Sequence, residues 1–132
     1  MPDLSDLIGV PFVNGGRDPA VGLDCWGLVM AVFQRFGITL PDHPLDAMDA
    51  AVIDAEIGRE RSAWLRCRPP YPIPAVVVIR FGGGAYCNHV GVLVAPGWFM
   101  HAREKTGSCR ESFDHPYYRR RIEGVYVPEW IT

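Results

Sequence analysis

Cys25 and His89 are the residues whose types and settings could together carry out acyl transfer. A thiolate is a strong nucleophile, and a nearby imidazole can take the thiol proton and later return it to a leaving group. Cys25 lies in Gly22-Leu23-Asp24-Cys25-Trp26-Gly27-Leu28-Val29, at the point where the sequence turns helical. The N–H groups and positive dipole end of a helix start favour a thiolate and offer donors to an oxyanion. On that ground Cys25 is expected to titrate below the ordinary thiol value of about 8.5 and to be the first cysteine alkylated. Asp24 is a natural N-cap. Gly22 and Gly27 are expected to let a substrate backbone approach closely. The competing reading is a buried structural cysteine, since cysteine is among the most buried residue types.

Four histidines could supply the base. His43 and His115 lie in proline-bounded turns, Pro41-Asp42-His43-Pro44 and Phe113-Asp114-His115-Pro116, and are expected to face solvent. His89 instead starts the apolar run Val90-Gly91-Val92-Leu93-Val94. On a strand His89, Gly91 and Leu93 share a face, and the glycine is expected to leave space beside the imidazole. His101 falls on the next strand, where it could orient the His89 ring, so thiol, base and orienter follow triad logic. The alternative is a pair of core histidines bonded to backbone.

The elements that must position these groups follow from periodicity. Residues 3–9 allow a short helix, and 13–19 are dense in turn formers. Leu28, Val32 and Phe36, with Val29 and Phe33 widening the stripe, predict a helix from Cys25 to Phe36, stopped by Gly37 and Pro41. Asp42 to Trp64 reads as one or two further helices. The proline-rich stretch Arg68 to Pro74 forbids helix. Strands are then expected at Ala75–Phe81, Asn88–Val94, Trp98–Arg103 and Arg121–Val127, with a turn at Pro96-Gly97. Helices before an antiparallel sheet give the α+β class, in one domain over 1–132.

Composition narrows the function. Apolar residues are 48% and charged residues 21%, as in an ordinary folded domain, and the net charge of −2 provides no field for nucleic acid. The run Arg119-Arg120-Arg121 is read as a solvated face. No apolar stretch approaches the roughly 20 residues of a membrane span. The acidic start Met1 to Asp6 does not look like a secretory signal, so a chain made in the cytoplasm would need another route to the outside. Cysteines at 25, 67, 87 and 109 include no Cys-x-x-Cys pair and are expected as free thiols. A zinc site from Cys87, His89, His101 and Cys109 can be drawn, but its spacing fits no usual ligand pattern. Neither metal nor cofactor is expected.

The stretch Ile8-Gly9-Val10-Pro11-Phe12, Gly15-Gly16-Arg17-Asp18-Pro19 and Gly22 to Val29 resembles the NlpC/P60 family of cell-wall cysteine peptidases. Phe36-Gly37-Ile38-Thr39-Leu40-Pro41, Asn88-His89-Val90-Gly91-Val92 and Phe99-Met100-His101-Ala102 continue the likeness in order along nearly the whole chain. It implies a papain-like α+β fold, with N-terminal helices on a central antiparallel sheet. It also implies attack by Cys25 on an amide of a peptidoglycan stem peptide, typically that between D-glutamate and a diamino acid. His89 would be the base and His101 the orienter. Phe12, Asp24 and Trp26 occupy positions that shape the substrate end of the family's cleft, where tyrosine and serine are usual instead of Phe12 and Trp26. Trp26 is expected to wall the cleft, the alternative being that it packs under the 13–21 loop.

Pro74-Ala75 replaces the family's common Gly-Asp pair. The Gly-Arg-Asp-Pro and Asp-Cys-Trp-Gly-Leu-Val wording, with Tyr117 to Tyr126, resembles members encoded in phage and prophage tail modules. That likeness implies a tail-tip peptidase acting at the cell wall beside other tail-tip proteins. The alternatives are a tail-assembly protein with the same fold, and a thiol amidase or acyltransferase acting on another amide.

Overall fold

A computed structural model describes residues 2–42, 64–81 and 89–129. Within them the helix α1 spans Cys25–Arg35. Asp24 caps it, accepting from the Gly27 N–H at 2.8 Å, and Gly37 follows at φ +84°. Leu28, Val29, Val32 and Phe33 are fully buried, each stabilising the fold by about 1.5–3 kcal/mol. The expected helix therefore forms, with Phe36 as its C-cap. The N-terminal segment forms only a 3-10 turn at Ser5–Leu7. The helices expected between Asp42 and Trp64 fall almost entirely outside the described residues.

Two short strands, β1 (Arg17–Asp18) and β2 (Gly22–Leu23), form a small hairpin before α1. The main sheet comprises β3 (Trp64–Arg66), β4 (Ala75–Ile79), β5 (His89–Ala95), β6 (Trp98–Arg103), β7 (Gly107–Ser112) and β8 (Ile122–Pro128). A short helix, α2 (Pro116–Arg119), separates β7 from β8. The order is β3-β8-β4-β5-β6-β7, with antiparallel pairing throughout. The four strands expected from periodicity are present, and β3 and β7 are additional.

Both faces of the sheet centre are covered, which is why β4 is an unbroken apolar run rather than an alternating one. Val76, Val78, Val90, Val92, Met100 and Ala102 pack with α1. Val77, Ile79, Leu93, Phe99 and Tyr118 form a second cluster. The edge strand β7 is tied to the N-terminal segment through Ser108. Its backbone bonds Gly9 and Val10, and its hydroxyl accepts from the Val10 N–H and donates to the Leu7 carbonyl. Gly107, at φ +73°, sits so close to the Val10 carbonyl that a Cβ would collide with it.

Candidate active site

The start of α1 lies against β5, the strand that begins at His89, and His89 pairs with His101 across β5 and β6; among the described residues no hydrogen bond joins Cys25 to either histidine. Asp24 is fully buried, and its carboxylate accepts from the Gly27 N–H (2.8 Å), the Gly15 N–H (3.0 Å) and Arg17 Nη1 (2.6 Å). It thus welds the 15–17 loop to α1 and has its acceptor capacity turned inward. Gly22 and Gly27 serve the same junction. A Cβ on Gly22 would strike the Val13 side chain, and one on Gly27 the Gly16 carbonyl. The space expected for a substrate backbone is filled by the chain's own loop.

Cys25 is 2% exposed, and its thiol meets the backbone of Val90, the residue after His89. The thiol is pushed up to about 12. Burial is the largest cause and the Asp24 charge the second, opposed by hydrogen bonds from the Val90 and Trp26 backbone and by Arg17. The expected low-pKa thiolate is corrected by this result: removal from water outweighs the helix start. Cys67 and Cys109 are more exposed than Cys25, which weighs against Cys25 as the first cysteine alkylated. Cys87 lies outside the described residues.

His89 Nε2 lies 3.0 Å from His101 Nδ1. His101 is fully buried and His89 nearly so. Burial, then His101, then Arg103 hold His89 well below the ordinary histidine value. Burial and Arg103 bring His101 down to about 3. At neutral pH both rings are therefore neutral, and a neutral imidazole has a lone pair with which to accept a proton. The room beside Gly91 is not vacant: a Cβ there would press on the Met100 carbonyl, the Phe99 ring and His101. The glycine lets His101 and Phe99 close over β5.

Beside His89 opens a cavity of about 640 Å³, lined among others by Phe12, Phe81, Arg103, Lys105, Glu111 and Tyr118. Phe12 thus sits on the cavity wall. Trp26 does not: it is 5% exposed, meets Trp64 edge to face, and donates from Nε1 to the Pro41 carbonyl at 3.1 Å. The expected specificity wall is corrected to a core residue, because the neighbouring apolar surface and the Pro41 carbonyl satisfy both parts of the indole. His115 is exposed and caps α2, while His43 lies outside the described residues.

Arg103, Glu111 and Tyr118 are site residues that periodicity did not single out. Part of the signal was available, since Gly107 after Glu104-Lys105-Thr106 marks a turn, but only the observed pairing of His101 with Cys109 puts Glu111 on the histidine face.

The chain matches the model of the NlpC/P60 family over residues 9–127. It belongs to the NlpC/P60 family. Among its relatives is the murein DD-endopeptidase MepS/murein LD-carboxypeptidase of Escherichia coli strain K12, 28% identical over 123 residues, covering 92% of this chain and 57% of that protein. The gamma-DL-glutamyl hydrolase of Bacillus subtilis strain 168 is 27% identical over 124 residues, covering 93% of this chain and 27% of that protein. The chain therefore spans little more than half of the first and about a quarter of the second. The solved NlpC/P60 domain of the peptidoglycan hydrolase SagA matches with a TM-score of 0.58 at 19% identity, over 93% of this chain and 91% of that one. An NLP/P60-family protein of Staphylococcus aureus subsp. aureus Mu50 gives 0.62 at 22% identity, over 93% and 37%. These structural likenesses establish the shared α+β fold with its central antiparallel sheet.

Proposed function

We propose that this NlpC/P60 chain is a cysteine peptidase that hydrolyses an amide of the peptidoglycan stem peptide, with Cys25 as nucleophile, His89 as base and His101 as its orienter. The observation that carries the reading is the buried His89–His101 contact at 3.0 Å, on the strand whose next residue, Val90, meets the Cys25 thiol through its backbone. The relative named murein DD-endopeptidase supports the substrate class, and the one named gamma-DL-glutamyl hydrolase supports a glutamyl bond.

The chemistry starts from a neutral thiol and a neutral imidazole. As Sγ attacks the carbonyl carbon, its proton passes to His89. The carbonyl oxygen becomes an oxyanion beside the helix start, where the Cys25 backbone N–H is a donor that the Asp24 cap does not take. The C–N bond then breaks, His89 returns the proton to the leaving nitrogen, and a thioester remains on Cys25. Water, deprotonated by His89, hydrolyses the thioester and restores the thiol.

The finer reading is a component of a phage or phage-like tail tip, carried to the cell wall beside other tail proteins. The Gly16-Arg17-Asp18-Pro19 and Asp24 to Val29 wording supports it. A second reading, a tail-assembly protein with the same fold, is favoured by the 2% exposure of Cys25. Phe12 on the cavity wall, where the family commonly has tyrosine, favours a thiol amidase or acyltransferase on another amide.

Digestion of purified peptidoglycan of defined chemistry, with mass spectrometry of the fragments, separates the three. The peptidase predicts new stem-peptide termini that vanish with Cys25→Ala. No release from any wall type supports assembly, and release only from other amides supports the third reading.

A further inference from the structure

We propose that Glu111 is a positioning residue that sets the tautomers of both site histidines, leaving His89 Nδ1 free to accept a proton. The proposal rests on the reading of His89 as the base and adds the group that prepares it. Two observations carry it. His101 Nε2 is buried without a hydrogen-bond partner among the described residues. Glu111 Oε2 lies 3.8 Å from that same nitrogen, with the Glu111 side chain 31% exposed and on the wall of the cavity.

A buried polar nitrogen is costly to leave without a partner, so Glu111, the acceptor group placed nearest to it in an ion pair of the described residues, has a defined task. The gap is longer than a hydrogen bond, and a small rotation of the partly exposed Glu111 side chain closes it. Glu111 is already held from its other side, because the Tyr118 hydroxyl is hydrogen-bonded to its carboxylate. Tyr118 in turn accepts from Arg103 Nη1 at 3.4 Å. The carboxylate is therefore tethered at the mouth of the histidine pair through Tyr118, which itself packs edge to face on the His101 ring.

The consequence follows from counting protons. A neutral imidazole carries one N–H. A carboxylate acceptor draws the His101 proton to Nε2 and leaves Nδ1 as an acceptor. The 3.0 Å contact then requires His89 to donate from Nε2, so His89 Nδ1 keeps its lone pair. With the opposite arrangement, His101 would donate from Nδ1, His89 would carry its proton on Nδ1, and no lone pair would remain there to take the thiol proton. When His89 becomes an imidazolium during attack, the negative charge at Glu111 also offsets the nearby positive charge of Arg103.

The test reads the tautomers directly, in the full chain with 15N-labelled histidine, by two-bond 15N–1H correlation of the imidazoles. Wild type is expected to show both His89 and His101 as Nε2–H forms. In Glu111→Ala, His101 should shift to Nδ1–H or to a mixture, and His89 should follow. Glu111→Gln keeps an acceptor oxygen and should retain the wild-type tautomers. On a stem-peptide substrate, Glu111→Ala should lower kcat by about tenfold to a hundredfold with KM nearly unchanged, the size seen when an orienting partner is removed from a ligating histidine. Glu111→Gln should restore most of it. An Nδ1–H form of His101 in the wild type, or unchanged tautomers in Glu111→Ala, overturns the proposal. If Glu111→Ala does not fold, the wild-type and Glu111→Gln spectra decide in the same way. Because the spectra need no substrate, failure of the peptidase reading and failure of this one are separately visible.

Discussion

On the nucleophile side of the site, Asp24 binds Gly15, Gly27 and Arg17 at once, and Gly22 and Gly27 leave no room for a side chain. On the histidine side, a buried nitrogen of His101 has no partner among the described residues, and a cavity of about 640 Å³ opens beside His89. The first region is a finished joint whose polar groups are spent on the fold. The second keeps polar groups in reserve, facing a space that a ligand can enter. The difference shows that residues close to Cys25 in sequence can be structural, while all the groups lining the cavity except Phe12 lie far along the chain.

Substitutions on the nucleophile side should therefore act on stability. Trp26→Ser should cost about 3–5 kcal/mol, the range for removing a large buried aromatic, and should lower the denaturation midpoint rather than shift substrate preference. A stable Trp26→Ser protein with altered preference would return Trp26 to the cleft. Asp24→Ala removes a cap and one partner of a buried ion pair, and should cost about 3 kcal/mol in urea unfolding. A cost under about 1 kcal/mol, the size of a simple cap, would show that the Arg17 contact contributes little.

The histidine side should show itself in pH dependence. His89 and His101 are held below 6.5 in the folded state, so between 6.5 and their folded values the unfolded chain binds more protons. Their contribution is fully present above pH 6.5 and is lost on acidification, at about 1.4 kcal/mol per pH unit for each histidine. Chemical unfolding at pH 7, 6 and 5 checks the slope, and His101→Asn should reduce it. A flat profile would mean that the pair is hydrated and titrates normally.

The smallest effect is expected at Phe12 on the cavity wall. Phe12→Tyr adds one hydroxyl at a partly exposed position and should leave stability within about 0.5 kcal/mol, as surface changes do. Its effect should fall on KM for stem peptides, measured by steady-state kinetics. Loss of stability instead would place the Phe12 ring in the core.

The fold was largely legible in the sequence because its signals were local. The Leu28–Val32 and Val29–Phe33 stripes mark α1, the β-branched runs mark β4 and β5, and the Pro96-Gly97 turn marks the hairpin that leads into β6. β7 was hidden because Gly107 to Ser112 is polar, and its pairing comes from β6 and from Ser108 bonded to Val10 and Leu7. At the candidate site, residue type and setting pointed to Cys25, His89 and His101, and the structure pairs the two histidines. What stayed hidden depends on long-range packing. The Cys25 thiol is raised by burial, Trp26 is claimed by Trp64 and Pro41, and Glu111 reaches His101 only through strand pairing.

The most direct test of the central claim is acylation of Cys25 by a stem-peptide substrate, followed by acid quench and intact-protein mass spectrometry within a single turnover. The wild type should accumulate an acyl adduct on Cys25. His89→Ala should form it about 10²–10⁴ times more slowly, the contribution of a positioned general base. An adduct formed at the wild-type rate in His89→Ala, or carried by Cys109 instead of Cys25, would contradict the account.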